Sequence, residues 1–131
     1  MAAWETLTLD EQPPHMRDFA TIWRAADKVV YSKTLQTAPT AQTRIEQEFD
    51  ADAIREMKAS ADRDFMIGGP ELARHAFEAG LVDECRLFLA PVTVGGGKRS
   101  LPSDLRLNLE LLDQRRFRGG FVYLRYSITD R

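Results

Sequence analysis

The stretch that most constrains what this chain can fold into is Asp64-Phe65-Met66-Ile67-Gly68-Gly69-Pro70-Glu71-Leu72. Its first half is a short apolar run of the kind that forms a buried strand. It ends in two glycines, where the backbone can turn sharply and lie close to a ligand. Pro70 and Glu71 then open a helix. Proline suits the first helical position, whose N–H has no helical partner, and an early glutamate suits the positive end of the helix dipole. A strand, a Gly-Gly turn and a helix start together present backbone N–H groups to an anion such as a phosphate. The same pattern also serves α/β proteins that use glycine here only to pack strand and helix closely, so both readings stand at this point.

The flanking sequence supplies the elements around this turn. Pro13-Pro14 breaks the chain, and Met16, Phe19, Ala20 and Trp23 then recur at the spacing of a core-facing helical stripe. Lys28-Val29-Val30-Tyr31-Ser32 reads as a strand, with Lys33-Thr34 in the turn after it. After a polar loop containing Pro39, Thr43 to Gln47 reads as a short half-exposed strand. Asp50 is a helix N-cap, with Ile54, Met57 and Ala61 on one face. The helix that starts at Pro70 buries Leu72, Ala73, Ala76 and Phe77 and ends at Gly80.

Glu84 to Ala90 alternates as a strand in which Cys85 is an inert core residue, and Pro91 ends it. Gly95-Gly96-Gly97-Lys98 follows, either as a flexible connector or as a wall of a ligand site. Leu107, Leu109 and Leu111, then Val122, Leu124, Tyr126 and Ile128, form a β-hairpin around Arg118-Gly119-Gly120. The basic run Arg115-Arg116-Phe117-Arg118 at its tip reads as a solvated turn, with a phosphate or partner contact as the alternative. Strands alternating with helices imply a mainly parallel sheet covered on both faces, with the hairpin adding antiparallel strands at one side.

Composition narrows the function classes. The 131 residues suit one domain spanning 1–131, and 44% hydrophobic with 29% charged residues is ordinary for a globular protein. A net charge of −2 gives no general attraction to nucleic acid or to an anionic membrane. No apolar run approaches the roughly 20 residues that cross a bilayer and no signal peptide is visible, which makes the cytoplasm the default location. One cysteine, Cys85, forms no internal disulfide, and with His15 and His75 as the histidines there is no metal-ligand cluster.

The order of these elements and five of their motifs resemble the dihydrofolate reductase-like superfamily. The similarity is greatest to proteins like the C-terminal reductase domain of the riboflavin biosynthesis protein RibD. The motifs are Ala25 to Leu35, Gly68-Gly69-Pro70-Glu71-Leu72, Ala79 to Glu84, Pro91 with Val94-Gly95-Gly96-Gly97, and Phe117 to Tyr126. The resemblance implies a three-layer α/β/α fold, with a mainly parallel central sheet and a C-terminal antiparallel β-hairpin. It also implies an NADPH site. Ser32, Lys33 and Thr34 would meet the adenosine 2′-phosphate, and Gly68, Gly69, Pro70, Glu71 and Leu72 would meet the diphosphate at the helix start. A hydroxyl and an ammonium suit a phosphate monoester, and a helix N-terminus suits a diphosphate.

Relatives usually open with a strand carrying a Ser-x-Asp-Gly type motif, whereas this chain begins inside what resembles the end of the following helix, Met1-Ala2-Ala3-Trp4. An N-terminally truncated domain is therefore expected: a fragment, a misassigned start or a degenerate member. The implied activity is NADPH-dependent hydride transfer to a small heterocyclic substrate. It would be similar to that of 5-amino-6-(5-phosphoribosylamino)uracil reductase or dihydrofolate reductase, with no catalytic residue identified. The alternative is a non-catalytic nucleotide-binding or dimerisation remnant. Apolar residues on the hairpin and on Glu84 to Ala90, together with the habit of relatives, imply a homodimer.

Overall fold

A computed structural model describes residues 2–129. The chain is an α/β fold whose contacts separate into two compact units, Met1–Phe49 and Asp50–Arg131.

In the first unit, helix α1 (Ala2–Thr6) precedes a 3-10 turn at Leu9–Glu11 and helix α2 (Pro14–Ala25). Met1, expected at the start of the first helix, lies outside the described residues. Pro14 opens α2 as its first residue, and Ala20 on the expected apolar stripe is fully buried. Phe19, on the same stripe, packs edge-on against Trp4 with ring centroids 4.6 Å apart. Arg24 ties the helices together, donating to Trp4 O at 2.9 Å and Leu7 O at 2.7 Å. Strands β1 (Lys28–Tyr31) and β2 (Thr43–Glu46) then pair in parallel, Lys28 opposite Thr43 and Tyr31 opposite Glu46. β2 alternates half-buried and exposed residues, as its sequence implies.

The second unit holds helices α3 (Ala51–Ser60) and α4 (Pro70–Glu78) and strands β3 (Glu84–Leu89), β4 (Leu109–Arg116) and β5 (Val122–Ile128). Asp50 caps α3 as expected, its carboxylate accepting from Asp52 N at 2.9 Å and Ala53 N at 3.3 Å. Asp50→Ala is expected to cost about 1 kcal/mol, read as a lower urea midpoint with unchanged slope.

Helix α4 ends in a Schellman turn. Leu81 N donates to Ala76 O at 2.9 Å, Gly80 N donates to Phe77 O at 3.0 Å, and Gly80 takes φ 65°. Ala76, Phe77, Leu81 and Cys85 are the buried apolar residues of this unit. Burial pushes the Cys85 thiol above its usual pKa. The three strands form an antiparallel sheet in the order β3-β5-β4, and the hairpin β4–β5 forms as the sequence predicts, except that Arg115 and Arg116, expected in its turn, pair with Tyr123 and Val122 inside the ladder. Its turn is closed by Phe117 N donating to Phe121 O at 2.9 Å and Gly120 N donating to Phe117 O at 3.1 Å.

One expected element does not form. Residues 64–67, the anticipated strand before the Gly-Gly turn, enter no ladder among the described residues. Phe65, Met66 and Ile67 are 49%, 89% and 39% exposed. A strand exists only through a hydrogen-bonded neighbour, and neither sheet offers this run an edge it uses. Parallel pairing is therefore confined, among the described residues, to β1 with β2. No helix of the described residues is long and apolar enough to cross a membrane.

Candidate cofactor site

The residues singled out from the sequence fall on two segments, one in each unit. In the first unit, β1 runs into a tight turn at Ser32. Ser32 N donates to Glu46 O at 2.9 Å, continuing the parallel ladder by one residue. Its hydroxyl oxygen accepts from Thr34 N at 3.3 Å and Leu35 N at 3.1 Å, and lies 3.4 Å from the Thr34 hydroxyl. The serine thus holds the turn that carries Lys33 and Thr34. Lys33 and Thr34 are exposed, and Lys33 makes no ion pair among the described residues. The turn offers two hydroxyls and an ammonium, the donor set that suits a phosphate monoester.

In the second unit, Gly69 is the N-cap of α4 with φ 92° and ψ 122°, a backbone region that L side chains rarely adopt. No side chain caps this helix, and Pro70 takes its first position. Ala73 N closes the first turn on Gly69 O at 2.9 Å. The amides of Glu71 and Leu72 therefore face outward without a capping side chain. A Cβ built on Gly68 or on Gly69 would have no atom within 4 Å. This separates the two readings of the Gly-Gly turn. The glycines do not relieve crowding between packed elements; they leave the backbone open to whatever approaches from outside.

The second glycine-rich loop delivers residues that sequence reasoning did not place. Lys98, which ends Gly95-Gly96-Gly97-Lys98, forms an ion pair with Glu71. Its hydrogen bond and charge hold the Glu71 carboxyl below the usual carboxylate range. The pair is exposed, so its contribution to stability is small. Arg74, one turn further along α4, donates to Glu78 at 2.7 Å and lies 3.5 Å from Asp104. A cavity of about 240 Å³ at the start of α4 is lined by Pro70, Glu71, Arg74, Lys98 and Arg99 among others. Lys98, at the end of this loop, and Arg99 after it thus form part of the wall of this cavity. The only local signal was a lysine directly after three glycines. Its partner is 27 residues away, and no periodicity links the two.

These two segments suit phosphate-bearing ligands, and the whole chain was compared with known proteins. The RibD C-terminal domain profile matches residues 1–123. The chain belongs to the RibD C-terminal domain family. The uncharacterized protein YyaP of Bacillus subtilis is similar, 27% identical over 119 residues that make up 89% of this chain. The chain spans 63% of the length of that curated relative.

Among solved structures, a putative riboflavin biosynthesis protein from Shewanella sp. PV-4 superposes with a TM-score of 0.67 at 13% identity, over 97% of this chain and 87% of that one. A pyrimidine reductase-like protein from Corynebacterium diphtheriae superposes with a TM-score of 0.51 at 17% identity, over 92% of this chain and 48% of that one. These likenesses show the fold, which is the dihydrofolate reductase-like α/β fold of RibD-like proteins.

Proposed function

We propose that this RibD C-terminal domain is an NADPH-dependent reductase acting on a small heterocyclic substrate of the pyrimidine or pterin class. The observation that carries this reading is the open Gly68-Gly69 backbone at the uncapped start of α4. Backbone amides there can donate to a diphosphate without displacing any side chain. Gly68, Gly69, Pro70, Glu71 and Leu72 would hold the diphosphate, and Ser32, Lys33 and Thr34 the adenosine 2′-phosphate. The Lys98 ammonium offsets the charge of Glu71, which would otherwise repel the diphosphate. The bound nicotinamide would supply the hydride, while the protein would orient it. No catalytic acid is assigned.

The test is calorimetric titration of the full chain with NADPH and with NADH. NADPH is expected to bind more tightly, because only NADPH presents the 2′-phosphate to Lys33. Lys33→Ala is expected to weaken NADPH about ten-fold or more and to leave NADH nearly unchanged, since a charge-assisted contact contributes about 1.5 to 3 kcal/mol. Equal losses for both cofactors would remove the 2′-phosphate from residues 32–34. No binding of either would overturn the proposal.

A second reading, a non-catalytic nucleotide-binding remnant, is favoured by the unpaired residues 64–67. Cofactor oxidation with pyrimidine or pterin substrates separates the two. Turnover supports the reductase, and binding without turnover supports the remnant.

A further inference from the structure

Residues 90–108, between β3 and β4, form no helix or strand. A Cβ built on Gly95, Gly96 or Gly97 would meet nothing within 4 Å, so no packing around the glycine run fixes where Lys98 lies. Two ion pairs hold the segment instead. Lys98 pairs with Glu71, and Asp104 lies 3.5 Å from Arg74, so both ends of segment 98–104 are tied to the first two turns of α4. Between these tethers Lys98, Arg99 and Ser103 wall the cavity of about 240 Å³ together with Pro70, Glu71 and Arg74. The Lys98 and Glu71 side chains are 73% and 80% exposed, and an ion pair so exposed contributes little stability. Its effect is to place a cation. An ammonium carries three donors and no acceptor. Glu71 takes one of them, and the others have no partner among the described residues. Arg99 forms no ion pair among the described residues, so a second cation stands beside the first.

We infer that Lys98 is a ligand-contacting residue of this cavity, keeping one bond to Glu71 and giving its remaining donors to a diphosphate. The inference rests on the reductase reading above, which makes that diphosphate part of the nicotinamide cofactor, and it adds a side-chain donor that the Gly-Gly-Pro turn lacks. Lysine suits the role as a compact point charge for phosphate oxygens. Donation to the ligand differs from cancelling the charge of Glu71 in one measurable respect. A lysine that only cancelled Glu71 would be dispensable once that carboxylate is gone, whereas a lysine that donates to the ligand is needed with or without it. NADPH and NADH share the diphosphate, so this contact serves both equally, unlike that of Lys33.

The test is calorimetric titration of the full chain, of Lys98→Gln and of the double variant E71Q/K98Q with NADPH, NADH and inorganic pyrophosphate. Both positions are exposed, so the far-UV spectrum is expected to stay unchanged. Lys98→Gln is expected to weaken all three ligands about ten-fold or more, the loss of one charge-assisted contact. The double variant keeps the net charge of the wild type and is expected to stay as weak as Lys98→Gln. A double variant that recovers wild-type affinity overturns the inference and leaves the reductase reading standing, because Lys98 then acts only on Glu71. Unchanged affinity in Lys98→Gln also overturns it. Wild-type binding of pyrophosphate but of neither cofactor, with the same loss in both variants, supports the Lys98 contact and removes the reductase reading. A wild type that binds none of the three overturns both.

Discussion

Gly68→Val is expected to abolish measurable binding of both NADPH and NADH while leaving the domain folded. Gly68 has no φ in the left-handed region, and a Cβ placed on it meets nothing within 4 Å. The folded chain therefore accepts a side chain at this position. A diphosphate does not, because it has to lie against the backbone of the turn to reach the outward amides at the start of α4. Loss of two charge-assisted contacts at about 1.5 to 3 kcal/mol each exceeds about 2.8 kcal/mol, a hundred-fold in dissociation constant. Both cofactors share the diphosphate, so both lose affinity, in contrast to Lys33→Ala. Gly69 is the less informative position: at φ 92° any side chain there strains the backbone as well as blocking a ligand. The measurement is titration of each cofactor, paired with a thermal melt. An unchanged melt with unchanged binding would show that no ligand approaches this turn.

Phe77→Ala is expected to have the largest effect on stability. Phe77 lies on the inner face of α4 and, with Ala76, Leu81 and Cys85, makes up the buried apolar group of the second unit. Truncating a buried phenylalanine costs about 3 to 5 kcal/mol through lost transfer energy and the cavity left behind. Domains are held by only about 5 to 15 kcal/mol in all. With so few buried side chains to share the loss, the urea midpoint should fall sharply. Met66→Ala is the control, since an 89% exposed side chain should change stability by no more than about 0.5 kcal/mol. Comparable losses in the two variants would mean that residues 64–67 are packed in solution.

The contrast between Phe77 and Met66 marks the line between what this sequence determined alone and what required the tertiary structure. Both are large apolar residues in strongly patterned runs. Helix α4 was legible because its signals are local: Pro70 at the first position, Leu72, Ala73, Ala76 and Phe77 on one face, and Gly80 past the end. Asp50 at the start of α3 and the hairpin through Gly119-Gly120 were legible for the same reason. Family membership followed from the order of such local motifs, and the profile match bears it out.

The strand at 64–67 was not decidable in this way. Its apolar pattern describes a residue run, whereas a strand needs a neighbour to accept its hydrogen bonds, and that neighbour lies elsewhere in the chain. The Lys98–Glu71 pair and the irregularity between Leu111 and Asp113 are likewise features of contacts between segments far apart in sequence. Caps and helical stripes are set by energies acting over one or two turns. Ladders and ion pairs between distant segments form only after the chain has closed on itself, so the tertiary structure alone decided them.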